Sequence, residues 1–221
     1  MSKTDPVSLD SFASACYYPP DIRMELQKTL VLIKPDGVAR GLTGEIIQRF
    51  ERVGLKIRGI KMVLPRHEDV DRHYALTDEW MQGVYNKAKA KYESEGRPFN
   101  FPDWKSYGTD IKKGLMDFLE SGPVIAVVLE GEQAVPLVRK LVGATEPQSA
   151  APGTIRGDLA IDSYALSNEQ NRSIRNLIHA SGTPDEAKHE IAIWFTDKEL
   201  HDYEHVLANA LYNPEAFSPK V

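Results

Sequence analysis

Cysteine is almost missing from this 221-residue chain. The single thiol, Cys16, has no partner, so a disulfide framework is excluded, and its place in an irregular amino-terminal stretch argues against a thiol nucleophile. No apolar run reaches the length needed to span a bilayer, and Met1-Ser2-Lys3-Thr4-Asp5-Pro6 carries none of the apolar stretch of a secretory signal, so no membrane partner and a cytoplasmic location are expected. Positive charge is also in deficit. Lys and Arg total 27 against 32 Asp and Glu, a formal net charge of -5, which speaks against indiscriminate nucleic-acid binding and requires any phosphate to be held locally. What remains is ordinary for a folded domain: 42% hydrophobic and 27% charged residues on a chain long enough to bury a core.

Residues 1–26 contain Pro6, Pro19 and Pro20 without a sustained period and read as an extension. Thr29-Leu30-Val31-Leu32-Ile33 reads as a buried strand closed by the turn Lys34-Pro35-Asp36-Gly37, which delivers Lys34 to the strand tip. Thr43 is expected to cap a helix whose apolar face is Ile46, Ile47, Phe50 and Val53, with Gly54 as its stop. The alternation from Leu55 to Leu64 changes phase at Gly59, as a bulged strand does. A helical stretch carrying His73 and Tyr74 follows, then a polar, mixed excursion over residues 77–110 with Lys87, Lys89 and Lys91 and a Pro-aromatic segment through Phe99, Phe101 and Trp104.

Ile111, Leu115, Met116, Phe118 and Leu119 mark one helical face, stopped by Gly122. Val124 to Leu129 is apolar at every position, predicting a strand covered on both faces or buried at a subunit contact. Val135, Val138 and Leu141 mark another helix before a long Gly/Pro/Ser-punctuated segment that runs to about Arg172. Ile191, Ile193 and Phe195 alternate, predicting a last strand begun by Glu190, and Leu200 to Leu211 predicts a terminal helix. The order β-α-β, β-α-β is the split arrangement of ferredoxin-like α+β folds, with a four-stranded antiparallel sheet.

Among six histidines, His201 and His205 have the i, i+4 spacing of a helical metal pair but no third ligand at motif spacing, so a solvated face is expected. His179 stands in Arg175-Asn176-Leu177-Ile178-His179-Ala180-Ser181, where small residues leave room for a ligand. A carboxylate such as Glu190 on one ring nitrogen would free the other for attack on phosphorus, although spacing alone leaves a structural histidine as the alternative. Lys34, Arg139, Thr145 and Arg156 lie near element ends or in the long loop, where convergence on an anion is expected; taken singly, each cation also fits a surface salt bridge.

Lys34-Pro35-Asp36-Gly37-Val38, Arg40-Gly41-Leu42 and Gly44-Glu45-Ile46-Ile47 resemble the start of the nucleoside diphosphate kinase family. Pro152-Gly153-Thr154-Ile155-Arg156-Gly157-Asp158 resembles its loop motif, and Asn176 to Ser181 its active-site signature. The resemblance runs from about Leu26 to Leu211, giving a domain over residues 27–213, insertions at about 77–110 and 163–172, and a tail over 214–221. It implies a homo-oligomer, hexamer or tetramer, that moves the γ-phosphate of a nucleoside triphosphate to a nucleoside diphosphate through phosphorylated His179, with Mg²⁺ carried on the nucleotide phosphates. It further implies that Glu190 and Ser181 orient His179, and that Lys34 approaches the transferred phosphate and the sugar 3′-hydroxyl. By the same resemblance Tyr74 would lie beside the phosphate path, Arg139, Thr145 and Arg156 would hold the β- and γ-phosphates, and Asn176 would bond the sugar hydroxyl.

Two departures stand out. Gly182 replaces the acidic residue that follows the signature Ser in many members, and counting places Ile111 where the base-stacking aromatic usually stands. The insertions offer Phe99, Phe101, Trp104, Tyr107 and Tyr164 either as replacement platforms or as packing for an added lobe. Competing expectations are a catalytically silent nucleotide-binding member of the same fold and a nucleic-acid-binding regulator using the Lys-rich patch; the joint presence of His179, Lys34, Arg139, Arg156 and Asn176 disfavours the first, net charge the second.

Overall fold

The computed structural model describes residues 26–94, 96–213 and 215–218. Cys16, nearly all of the expected amino-terminal extension and part of the expected tail lie outside the described residues.

Strand β1 (Gln27–Ile33) fixes the layering, because successive side chains of a strand point to opposite faces. Val31 and Ile33 enter one hydrophobic cluster and Leu30 and Leu32 the other, all four fully buried. Helices α1 (Pro35–Ala39) and α2 (Thr43–Arg52) lead to β2 (Lys56–Val63). Then come α3 (His67–His73), α4 (Asp78–Ser94), α5 (Trp104–Leu119) and β3 (Val124–Gly131). The remainder is α6 (Ala134–Val142), α7 (Ile155–Leu159), α8 (Tyr164–Glu169), β4 (Ile178–Ala180), α9 (Pro184–Trp194) and α10 (Ala208–Tyr212).

The strands are ordered β2-β3-β1-β4 and every pairing is antiparallel, so β3 lies between β1 and β2 in the expected split, ferredoxin-like arrangement. Every residue of β3 is buried, as its unbroken apolar run predicts for a strand covered on both faces. Ile46 and Phe50 of α2 and Val138 of α6 cover one face of the sheet. Val70 of α3, Met116 and Leu119 of α5 and Trp194 of α9 cover the other. Each such side chain contributes roughly 1.5–3 kcal/mol by leaving water. The β2 register shifts between Ile57 and Gly59, at the expected phase change. A Cβ on Gly59 would stand 2.8 Å from the carbonyl oxygen of Glu199, so only glycine lets the later chain pass that close.

The carboxy-terminal third corrects the sequence reading. Ile191, Ile193 and Phe195 do not form a strand; Glu190, Ile191 and Ile193 lie on α9, and Phe195 is its C-cap. Thr183 accepts a hydrogen bond from Glu186 N–H, Pro184 opens the first turn and Asp185 and Glu186 follow, and these helix-start features override a three-residue alternation. Ala187, Glu190 and Trp194, at i, i+3 and i+7, are its buried face. The last strand is instead β4, the signature segment containing His179 itself.

The long terminal helix is also replaced. Only Ala208–Tyr212 is helical, and residues 201–205 run without regular structure, tied to the sheet edge by His201 N–H donating to Arg58 O at 2.7 Å. His201 and His205 therefore do not share a helical face. The excursion over residues 77–110 is a helical hairpin of α4 and the first turns of α5, which begins at Trp104 rather than Ile111. Asp103 caps α5 by accepting from Ser106 N–H at 2.9 Å. Gly108 lets the two helices close, since a Cβ there would collide with the Met81 side chain.

Candidate active site

The chain around His179 is locked from both sides. Ser181 N–H donates to Leu30 O, and Leu30 N–H donates to Ser181 Oγ, each at 3.2 Å, so the signature continues the β1–β4 pairing in which His179 faces Leu32. On the other side, Lys34 N–H donates to Leu177 O at 2.8 Å, and Asp36 accepts from Leu177 N–H at 3.0 Å. Leu177 is fully buried with φ 69°, a left-handed conformation that costs a branched residue roughly 1–3 kcal/mol and persists because both its peptide groups are held. Gly37 belongs to the same lock, as a Cβ there would press on Ile33 at 2.8 Å and on Leu177 O at 3.1 Å.

His179 Nε2 lies 2.9 Å from Glu190 Oε1, and Ser181 Oγ–H donates to Glu190 Oε2 at 2.6 Å. Both carboxylate oxygens are thus engaged, and the Glu190 carboxylate, an acceptor, places the imidazole proton on Nε2. The Nδ1 lone pair is left as the nucleophilic position. Glu190 is only 7% exposed at its side chain against 21% for His179, so the carboxylate is shielded while the imidazole meets solvent.

Cations gather beside this pair. Lys34 Nζ donates to Asn176 Oδ1 at 2.9 Å and lies 5.7 Å from the centre of the Phe118 ring. Burial first and the Arg156 charge second lower its pKa from 10.5 to about 8, with Asp36 opposing the fall. Asn176 spans the site by donating from Nδ2 to Thr145 O at 2.8 Å. Arg156 is buried without an ion pair among the described residues: Nε donates to Asn176 O, Nη1 to Gly143 O and Ala144 O, and Nη2 to Ile178 O. Burial, assisted by neighbouring Arg139, lowers its pKa to about 10. Arg139 and Thr145 are exposed near the end of α6, the former without an ion pair among the described residues. Tyr74 closes the other wall, its hydroxyl pKa pushed up by burial and by the Glu190 charge.

His179, Glu190 and Ser181 are therefore in direct contact, and Lys34, Asn176, Thr145 and Arg156 form one hydrogen-bonded network. Arg139 joins that network through its field on Arg156, and Tyr74 packs edge-on to His73, whose ring centre lies 4.4 Å from that of His179. Sequence reasoning missed Asp36, His73, Leu177 and Trp194. Asp36 and Leu177 stood inside quoted motifs, but nothing in the order of residues showed that they bond each other. The Gly182 departure has a structural counterpart: Gly182 N–H donates to Glu186 Oε2 at 2.8 Å, and a Cβ on Gly182 would stand 2.6 Å from that oxygen. The aromatic residues divide. Phe99 and Tyr107 pack ring against ring with each other, with Tyr85 and with Phe101, while Tyr164 stands apart beneath Lys91 Nζ at 5.4 Å.

An α+β protein of ferredoxin-like topology thus presents a carboxylate-oriented imidazole at its sheet edge beside buried and exposed cations. The family model for nucleoside diphosphate kinase matches residues 27–96 and 105–200. The nucleoside diphosphate kinase of Pyrobaculum aerophilum is 46% identical over 181 residues, covering 80% of this chain and 99% of that protein. The solved structure of the Pyrobaculum NDP kinase superposes with a TM-score of 0.77 over 80% of this chain and 100% of that one. The Borrelia burgdorferi enzyme, solved as a transition state mimic with bound vanadate and ADP, is 39% identical and superposes with a TM-score of 0.70, covering 84% and 96% of the two chains. The chain belongs to the nucleoside diphosphate kinase family.

Proposed function

We propose that this protein is a nucleoside diphosphate kinase that transfers phosphate in two half-reactions through His179. The observation that carries the proposal is the Glu190 carboxylate 2.9 Å from His179 Nε2, which directs the proton to that nitrogen and leaves the Nδ1 lone pair for phosphorus. In the first half-reaction the Nδ1–P bond forms as the bond between the γ-phosphorus and the β,γ-bridging oxygen breaks, and the diphosphate leaves with the electron pair. A terminal oxygen of an incoming diphosphate then takes the phosphoryl group from Nδ1. Phosphoryl transfer needs alignment and compensation of oxygen charge above all, and Lys34, Arg139 and Arg156 supply positive charge beside the nucleophile. Ser181 and Glu190 hold the ring, Thr145 and Asn176 complete the phosphate and sugar side, and Tyr74 walls the path.

The cation-rich donor set suits Mg²⁺ arriving on the nucleotide phosphates better than a metal held by the protein, since Mg²⁺ prefers hard oxygen ligands. When bound there it neutralises charge on the phosphate oxygens. Lys34, Arg139, Thr145 and Arg156 would hold the phosphates that carry it. The exposed apolar side chains Ile60, Met62 and Leu64, on and just beyond edge strand β2, support assembly into a homo-oligomer, to be read from light scattering in solution. Among the described residues no helix is long and apolar enough to cross a membrane, and a cytoplasmic location remains part of the proposal, testable by fractionation.

The direct test is incubation with γ-labelled ATP and Mg²⁺, removal of nucleotide, and measurement of acid-labile, alkali-stable label on the chain. Wild type should carry it and His179→Gln should not, while the variant still binds ADP. Label retained by the variant would overturn the assignment of His179; an unlabelled wild type that binds ADP would favour a silent nucleotide-binding member.

A further inference from the structure

Two imidazoles face one oxygen in this site. Glu190 Oε1 lies 2.9 Å from His179 Nε2 and 3.8 Å from His73 Nδ1. The second distance is too long for a hydrogen bond but within reach of one after a small side-chain shift. The His73 side chain is completely buried, and its Nε2 has no hydrogen-bond partner among the described residues. Its Nδ1 receives the indole N–H of Trp194 at 3.3 Å. An acceptor at Nδ1 means that the ring proton sits on Nε2, where it is buried and unpaired, an unfavourable state for a donor. Moving the proton to Nδ1 would relieve that cost by donating to Glu190 Oε1. Such a donor would draw the carboxylate from His179, whose Nδ1 would then no longer be kept proton-free.

We propose that Trp194 is a positioning residue for phosphoryl transfer: by donating to His73 Nδ1 it keeps the His73 proton on Nε2, so that Glu190 serves His179 alone. The rings reinforce this arrangement, since His73 meets both His179 and Trp194 edge to face, at interplanar angles of 79° and 82°. The charged and titratable groups around His73 are Glu190 and His189 of α9, His179 of β4, Lys34 beyond β1, and Asp69, Arg72 and Tyr74 on or beside its own helix. Burial, then His179, Lys34 and His189, hold its pKa well below 6.5, which keeps the ring neutral while Trp194 selects the tautomer. The inference rests on the proposed transfer through His179, but its first readout does not require turnover.

That readout is nitrogen NMR of histidine-labelled wild-type protein, in which His73 should be a neutral ring protonated at Nε2 from pH 6 to pH 8. A proton on Nδ1 would overturn the proposal, whether or not the protein transfers phosphate. Trp194→Phe keeps the buried ring and deletes the donor. With wild-type transfer established, phosphoenzyme formation in this variant should fall on the order of tenfold at pH 7 with nucleotide KM nearly unchanged, the scale on which removing an outer partner of a functional histidine acts. His73 in this variant should show the Nδ1–H form, the proton having moved between its ring nitrogens with no net uptake. Adding His73→Phe, or His73→Leu should Phe not fit, removes the competitor and should restore most of the lost rate. A rate in Trp194→Phe matching wild type, a His73 ring still protonated at Nε2 in that variant, or a double variant as slow as the single, would overturn the proposal.

Discussion

Lys34 is held in the folded protein at the expense of stability, and its replacement by Met should separate folding from function. Lys34 is 5% exposed, and burial first and the neighbouring Arg156 charge second bring its pKa from 10.5 to about 8. At 1.36 kcal/mol per pH unit this corresponds to about 3 kcal/mol by which the charged form is disfavoured on folding at pH 7. Lys34→Met removes that burden while keeping the aliphatic length. Against it stands the lost bond to Asn176 Oδ1, whose unpaired state costs about 1–3 kcal/mol. The balance is a variant from equally stable to about 2 kcal/mol more stable at neutral pH, a rise in Tm of up to about 8 °C for a protein of this size.

The pH dependence has a definite sign. Below pH 8 Lys34 is protonated in both folded and unfolded chains, and the wild type carries the full burden. Between pH 8 and 10.5 the folded chain has released the proton and the unfolded chain has not, so wild-type stability rises with pH relative to Lys34→Met. The difference in Tm should therefore shrink from pH 7 to pH 10, measured by calorimetry without nucleotide. Adding ADP should reverse the order, because a bound phosphate compensates the Lys34 charge that Met lacks. A variant destabilised by more than about 1 kcal/mol at pH 7, or a Tm difference independent of pH, would refute the assignment of an uncompensated buried charge at this position.

Phe99→Ala in the aromatic plug of the α4–α5 hairpin should lower stability by about 2–3 kcal/mol, below the value for a full core ring because Phe99 is half buried, and leave nucleotide KM unchanged in steady-state assays. Tyr164→Ala should behave in the opposite way, shifting KM with little change in Tm, as its half-exposed ring stands apart from that plug; an unchanged KM would remove it from the nucleotide site. Gly182→Asp should lose about 1–2 kcal/mol of stability in denaturant titration, since its side chain must displace the Glu186 carboxylate and oppose its charge; a more stable variant would show that the position is open.

The parts of this molecule that the sequence revealed are those governed by local rules. The period-two pattern of β1, the phase change at Gly59 and the all-apolar β3 each follow from strand geometry alone, and all three appear in the sheet as expected. The α4–α5 hairpin was obscured because only Met81 of the 17 residues in α4 is buried, leaving little apolar periodicity to detect. The segment after Thr183 was misread because its alternating isoleucines outweighed the cap, Pro and acidic first turn. For the site, the family motifs named His179, Lys34, Asn176 and Arg156, and these positions do converge. Pairings across 142 and 121 residues of chain, Lys34 with Asn176 and His73 with Trp194, are properties of the folded sheet and its covering helices that linear spacing does not encode.

The same distinction bears on the two arginines, which look equivalent in sequence but not in structure. Arg139 is exposed, with no carbonyl bond or ion pair among the described residues, so its forked donors are available to a ligand. Arg156 commits four N–H groups to the carbonyls of Gly143, Ala144, Asn176 and Ile178, joining the end of α6 to the strand that bears His179. An ammonium has three donors and no plane, so Arg156→Lys leaves at least one of those carbonyls unpaired and should lose about 2–4 kcal/mol of folding stability as well as turnover. Arg139→Lys should keep stability within about 0.5 kcal/mol while transfer falls on the order of 10²- to 10³-fold, as when one preorganised donor to a developing charge is lost. Calorimetry paired with single-turnover phosphorylation separates the two. Equal losses of Tm in both variants, or an unchanged Tm in Arg156→Lys, would mean that the four carbonyl bonds do not hold the signature strand in place.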